Sequence, residues 1–210
     1  KYFIIDLTKK NSFKKNKNCF FISIGKFGQI IDLVKEKKCK KVLFAGKIDK
    51  PKISNLKLDI KGLYYLPRII KSSKLGDAAV LKELIKILAE NKIKVIKSNF
   101  FNPELTLSKG NFSKIRPNKF DLLNIKLGIK SLNRINAYNH VQGLVVRNNI
   151  VIAKETSLGT KKMLLSIKKS KKGQGILIKF PKRKQDLRAD LPTIGIDTLK
   201  DCKRVNIKGI

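Results

Sequence analysis

Three short runs, residues 2–6 (YFIID), 19–24 (CFFISI) and 41–46 (KVLFAG), are almost uninterruptedly apolar. Such runs mark strands covered on both faces of a parallel sheet. After the second run, Phe27, Ile30, Ile31 and Val34 fall at i, i+3, i+4 and i+7, one apolar stripe of a helix that packs on a sheet. Leu81, Leu84, Ile85 and Leu88 repeat the stripe behind Asp77, a suitable N-cap, and Asn91 closes that helix before a strand over 93–97 (IKVIK). Strands alternating with helices predict an α/β layer, whose expected first strand-helix unit is absent. Lys1 leads directly into a strand, and Val205–Ile210 runs out without a closing element. Both ends are therefore expected to be cuts.

The periodicity stops over 108–119 (SKGNFSKIRPNK), where Gly, Pro, Ser and Asn predict a linker. Beyond it a helix is expected over 120–134. Leu144–Arg147 and Ile150–Lys154 then flank Asn148-Asn149, two residues that tolerate left-handed backbone and so predict a two-residue hairpin. Gly159-Thr160 opens a Lys-rich helix, Gly175–Lys179 reads as a strand, and Asp197 as the N-cap of a short last helix. The expected organisation is α/β: a domain over 1–107, the linker, and a smaller α+β domain over 120–210.

Charge adds a question about partners. The chain has 49 Lys and Arg against 15 Asp and Glu, a formal net charge of +34. Nucleic acid is the first thought for such a balance. Only seven of the basic residues are Arg, the side chain suited to bidentate phosphate and guanine contacts. Lys, Ile and Asn, all abundant, share A- and T-rich codons, so genome composition accounts for much of the charge. Nucleic acid is thus disfavoured, and a basic module for nucleic acid or anionic membrane surfaces stays as the alternative function. An anionic membrane would attract the chain by about 1 kcal/mol per Lys near its surface. No apolar run approaches the roughly 20 residues needed to cross a bilayer. Cys19, Cys39 and Cys202 lack any C-x-x-C pairing and read as reduced thiols that fill core space. His140 is the sole histidine, and its structural reading outweighs a catalytic one.

Few spots combine the residue types that chemistry needs. Ile24-Gly25-Lys26-Phe27-Gly28 places two glycines between a strand and a helix, where main-chain N–H groups can hold a phosphate or simply let the helix pack closely. Gly159-Thr160, followed by Lys161 and Lys162, has the same form with an added hydroxyl. Asp190 lies in Arg188-Ala189-Asp190-Leu191-Pro192-Thr193-Ile194-Gly195, where solubility does not need a carboxylate. It suits a Mg²⁺ ligand or a water-orienting group; equally, it suits a partner for Arg188 or a cap for the turn before Pro192. Neither a Ser-His-Asp order, H-E-x-x-H, a Walker loop nor zinc spacing occurs, and the missing G-x-G-x-x-G argues against a nicotinamide enzyme.

Taken in order, these motifs resemble the LpxI-type UDP-2,3-diacylglucosamine pyrophosphatases of lipid A synthesis. Ile24–Gly28 is similar to their I-G-x-F-G turn, and Phe44-Ala45-Gly46 with Lys50-Pro51 to their F-A-G strand end and basic-Pro pair. Leu66-Pro67, Gly76-Asp77, Thr106-Leu107 with Gly110 and Pro117, Val141-Gln142-Gly143, Ala153-Lys154-Glu155 and Gly159-Thr160 follow in the family's sequence. Asp190–Gly195 matches its D-L-P-T-I-G signature without a gap. The resemblance implies a Rossmann-like first domain and a catalytic second domain. It also implies Mg²⁺-dependent (or other divalent-metal) hydrolysis of the diphosphate of UDP-2,3-diacylglucosamine to UMP and 2,3-diacylglucosamine 1-phosphate. Asp190 falls on the catalytic, metal-holding carboxylate, and Gly25, Gly28, Gly46, Gly159, Thr160 and Thr193 on substrate contacts. Where the family reads E-G-T-D, this chain has Leu158-Gly159-Thr160-Lys161, which leaves Glu155 as the nearest second metal carboxylate. A cytoplasmic enzyme peripheral on an anionic inner membrane follows, with a homodimer left open.

Overall fold

A computed structural model describes residues 2–8, 13, 15–46, 51–135, 141–170, 173–181 and 185–210. The chain divides into two compact units of nearly equal length, Lys1–Pro103 and Glu104–Ile210, so residues 108–119 belong with the second. Both mix helix and sheet.

In the first unit, β1 (Ile4–Asp6) pairs in parallel with β2 (Cys19–Phe21), and β3 (Lys41–Leu43) with β4 (Lys94–Ile96). Each pair forms its own two-stranded sheet among the described residues. The strands are shorter than the apolar runs, and Phe21 at the end of β2 is 45% exposed. A two-stranded pair has two edges, so its side chains are half covered instead of enclosed. Helix α1 (Phe27–Glu36) buries Ile30, Ile31 and Val34, the stripe its spacing predicts. Helix α3 (Asp77–Glu90) buries Ile85, Ile87 and Leu88. Its N-cap is Gly76, while Asp77 sits in the first turn, where a carboxylate meets the positive end of the helix dipole.

Helix α2 (Ile60–Ser73) was not legible in the pattern, because Pro67 lies inside it. An interior Pro removes one main-chain donor and crowds the preceding turn, which ordinarily costs about 3 kcal/mol. A local cap and a tertiary clamp act against that cost. Asp59 caps the helix, its side chain accepting from Gly62 N. One residue after Pro67, Arg68 donates to Glu83 from Nε at 2.7 Å and to both oxygens of Glu90 from Nη1 and Nη2 at 2.8 and 2.7 Å. The hydrogen bonds it donates to Glu90 and then to Glu83 raise the Arg68 guanidinium further above its ordinary value, so the clamp of α2 on α3 is a permanent charge.

The second unit is three layers deep. Its sheet has the order β6-β5-β7-β8, from β5 (Gly143–Arg147), β6 (Ile150–Lys154), β7 (Gly175–Lys179) and β8 (Ile207–Gly209). The first three strands are antiparallel neighbours and β8 runs parallel to β7. Asn148 and Asn149 take φ of 49° and 57°, the two left-handed positions of a tight hairpin. Asn149 N also donates to the buried Asn124 Oδ1 at 2.7 Å. Period-two alternation along β5 sends Leu144 and Val146 to one face, with Leu132 of α4 (Lys119–Arg134), Ile176 and Ile178. Val145 goes to the other, with Met163 and Leu164 of α5 (Gly159–Ser166) and Cys202 of α6 (Ile196–Arg204). Leu144, Val145 and Val146 are fully enclosed, worth about 1.5–3 kcal/mol each. A box between Asn118 and Asp121 caps α4, and Lys208 of β8 pairs with the buried Asp121 at 3.0 Å. Gly195, not Asp197, is the N-cap of α6.

The three cysteines are free thiols. Only Cys202 is a core residue; burial and then Asp201 push its thiol up to about 11. No helix among the described residues is long and apolar enough to cross a membrane.

Candidate functional site

The chemistry-bearing residues of the second unit gather where β5, β6 and β7 meet the start of α5. Glu155 follows β6 directly, and its N–H donates to Gly143 O at 2.9 Å, so the ladder extends one residue past the strand. The side chain is only 7% exposed. A carboxylate in such a place needs donors, and among the described residues it has two. Its Oε1 accepts from the Thr160 hydroxyl at 2.7 Å and its Oε2 from Gln142 N at 3.0 Å. The Thr160 hydroxyl in turn accepts from Lys179 Nζ at 2.5 Å. A lysine at the end of β7 is thus linked, through one hydroxyl on the first turn of α5, to a buried carboxylate.

Asp190 sits on a stretch without strand or helix. Asp186 O accepts from both Ala189 N and Asp190 N at 3.1 Å, closing a turn on which Asp190 is half-buried. Arg188 does not pair with Asp190 in that turn. Its N, Nε and Nη2 donate to the Asp186 carboxylate at 3.0, 2.9 and 2.7 Å, and the side-chain hydrogen bonds to Asp186 raise the guanidinium above its ordinary value. The turn connects to the Glu155 cluster through two amides. Gln142 Nε2 donates to Gln185 Oε1 at 2.6 Å, and Gln185 Nε2 to Asp190 O at 3.2 Å. Thr193 lies exposed, its hydroxyl donating to Leu191 O at 3.0 Å.

The first unit treats its glycine turn differently. The N–H groups of Gly28 and Gln29, at the start of α1, donate to Asp59 Oδ1 and Oδ2 at 3.1 and 2.8 Å. Gly62 N donates to Asp59 Oδ1 at 2.6 Å. One carboxylate therefore caps two helices. Burial pushes Asp59 up, but the hydrogen bonds from Gln29, Gly62 and Gly28 and the charge of Lys61 outweigh it, and its carboxyl is held below the ordinary range. A Cβ on Gly25 would stand 2.6 Å from Lys57 O, and one on Gly62 would run into Gly25 O. Both glycines allow the turn and α2 to touch backbone to backbone. Gly46 ends the third apolar run at φ 83°, exposed.

The structure thus brings Glu155 and Thr160 into one hydrogen-bonded group and ties Asp190 to it, whereas Gly25 and Gly28 belong to the other unit's core. Gln142, Gln185 and Lys179 were not picked out by their chemistry. Gln142 lay inside a quoted motif, but Lys179 is one lysine among many, and Gln185 contacts Gln142 across 43 residues. Leu158 and Lys161, at the two departures from the family pattern, are exposed. His140 and Lys50 lie outside the described residues. Among the described residues no three His, Cys, Asp or Glu side chains converge as a preformed metal cage.

Fold and site together define a two-unit mixed α/β protein whose second unit holds a buried carboxylate and a lysine in one hydrogen-bonded group, joined through two glutamine amides to the main-chain carbonyl of a loop aspartate. Residues 1–105 match the LpxI N-terminal domain and residues 108–210 the LpxI C-terminal domain. Over 197 residues the chain is 30% identical to the UDP-2,3-diacylglucosamine pyrophosphatase LpxI of Caulobacter vibrioides, covering 90% of this chain and 70% of that protein. The chain belongs to the LpxI family.

Proposed function

We propose that this chain is a UDP-2,3-diacylglucosamine diphosphatase of lipid A synthesis, releasing UMP and 2,3-diacylglucosamine 1-phosphate, with Mg²⁺ or another divalent metal as cofactor and Asp190 as the catalytic carboxylate. The carrying observation is the match to both family domains along the chain, with a relative named for that activity.

The donor set suits a hard cation. Asp190 and Glu155 offer oxygens, and Mg²⁺ typically takes one or two carboxylates and completes its shell with waters and substrate phosphates, so a full protein cage is not required. Asp190 would hold the ion, with Glu155 as the second carboxylate of the same unit. When bound, the metal neutralises phosphate charge and lowers the pKa of a coordinated water. The rest falls to the chain. Lys179 supplies a fixed positive charge beside the developing phosphate charge, held in place by Thr160. Glu155 sets the direction of the Thr160 hydroxyl and offsets the lysine's charge. Gly159, Thr160 and Thr193 line the substrate side in this reading. At Gly28 a phosphate would meet the Asp59 carboxylate and Gly25 lies buried against Lys57 O, so we assign those two a packing role and Gly46 a turn.

For the first unit we favour a Rossmann-like layer, supported by its parallel pairs and following helices. Contact with an anionic inner membrane is supported by the net charge of +34 and by exposed Phe112, Ile115 and Phe120 beside Lys114, Arg116 and Lys119.

Purified protein given UDP-2,3-diacylglucosamine and Mg²⁺ is expected to release UMP, and chelation to stop it. Asp190→Asn should lower the rate by about 10²–10³-fold or more, the scale of losing a main electrostatic partner of the transition state, with an unchanged melting temperature. Undiminished turnover in that variant removes Asp190 from the mechanism. Absence of UMP from the wild type removes the reaction.

A further inference from the structure

We infer that Gln185 is a positioning residue for Asp190, joining the Asp190 turn to the sheet through Gln142; this rests on the reading of Asp190 as the catalytic carboxylate. Residues 185–195 contain no strand or helix. Asp190 therefore takes its place from no ladder; the turn closed by Asp186 O holds it to its own chain neighbours, and Gln185 ties that turn to the sheet.

Gln142 is the fixed post to which that turn is tied. Its N–H donates to Glu155 Oε2 at 3.0 Å and its carbonyl accepts from Phe180 N at 2.8 Å, so its main chain is held from two sides. The side chain then reaches Gln185 at 2.6 Å, and the other end of that amide reaches Asp190 O at 3.2 Å. The direction of this relay is dictated by its last member. Asp190 O is an acceptor only, so Gln185 must turn its NH₂ toward it, leaving its oxygen for the NH₂ of Gln142. Reversing the Gln185 amide would set oxygen against oxygen at one end and NH₂ against NH₂ at the other. Gln142 thus contacts both halves of the site: Glu155 through its main chain and, through Gln185, Asp190. A displacement of about 1 Å at a reacting group can cost about 10²-fold in rate, and supporting contacts of metal ligands typically matter 10–100-fold.

The test uses the full-length protein with UDP-2,3-diacylglucosamine and Mg²⁺. Gln185→Ala should lower kcat by about 10–100-fold and leave KM within about threefold. Gln185→Glu should do no better, because a carboxylate still accepts from Gln142 but cannot donate to Asp190 O. Gln142→Ala combined with Gln185→Ala should lose no more than the worse single variant, since both cut one tether. Hydrogen exchange gives a readout independent of turnover: amides of Leu187–Leu191 should exchange about tenfold faster in Gln185→Ala while those of Leu144–Val146 keep their protection. Wild-type kcat in Gln185→Ala, multiplying losses in the double variant, unchanged exchange in the turn, or equal loosening of Leu144–Val146 would each overturn the inference. A wild type that yields no UMP defeats the assigned reaction instead, and the exchange result still decides whether the tether exists.

Discussion

Two glycine-opened helix starts look alike on paper and are used in opposite ways. At the start of α1, the N–H groups of Gly28 and Gln29 are taken by Asp59, a carboxylate from the next helix. At the start of α5, Gly159 has φ 82° and nothing within 4 Å of where a Cβ would lie, and the nearby carboxylate, Glu155, takes the Thr160 hydroxyl. In the first unit an acid fills the anion position and locks two helices together. In the second an acid stands behind the position, holding a hydroxyl and, through it, a lysine. A glycine turn whose N–H groups already hold the protein's own carboxylate, as at Gly28, is closed to a phosphate.

That contrast is tested most sharply at Glu155. Replacing it with Ala leaves the half-buried Gln142 N and Thr160 hydroxyl without this acceptor. The expected cost is about 3–5 kcal/mol in stability together with a 10–100-fold fall in UMP release, read by denaturant titration and by single-time-point assays at low temperature. Full activity in a folded Glu155→Ala protein would reduce the cluster to a structural brace.

Asp59→Ala should affect stability alone. Three main-chain donors at two helix starts lose one charged acceptor, an expected loss of about 2–4 kcal/mol, with kcat and KM unaltered below the melting transition. A drop in kcat/KM matching that of Glu155→Ala would return the Gly28 turn to the substrate. The effect carries a pH signature. The folded carboxyl is held below its ordinary value of 3.8, so its stabilisation is fully present above that pH and is lost as pH falls through the depressed folded value. The melting-temperature gap between wild type and Asp59→Asn should therefore be constant near neutrality and close only under more acid conditions.

These carboxylates show what was legible in the chain and what was not. Local rules carried the apolar stripe of α1, the Asn148-Asn149 hairpin, α4 and α5, because each depends on residues within a few positions of one another. Helix α2 escaped because Pro67 breaks a local rule and the compensation, Arg68 on Glu83 and Glu90, lies 15 and 22 residues away. Asp77 and Asp197 attracted the N-cap role but sit in the first turn, since Gly76 and Gly195 take the cap and a carboxylate is stabilised in either place. For the site, the family signature pointed to Asp190, and the departures at Leu158 and Lys161 directed attention to Glu155. Asp59, by contrast, is one more acid before a helix in the sequence. Only the fold reveals that it faces Gly28, 31 residues back. Lys179 was hidden by abundance: where so many residues are lysine, being lysine distinguishes nothing.

The smallest effect belongs to Gly159, and it separates conformation from space. At Gly25 and Gly62 the issue is room: backbone lies where a side chain would go. Gly159 has open space but a left-handed φ of 82°. A methyl there meets no neighbour, so Gly159→Ala should cost only the backbone strain, about 1–2 kcal/mol, with the fold retained. If the N–H groups at this helix start face substrate phosphate, relaxing the strain by shifting φ turns them away and raises KM more than it lowers kcat, because a contact made equally in ground and transition state is weakened. Gly25→Ala should show the reverse balance, a larger loss of stability from the clash with Lys57 O and no change in KM. Equal KM changes in the two variants would erase the proposed distinction between a turn filled by its own protein and one that contacts substrate.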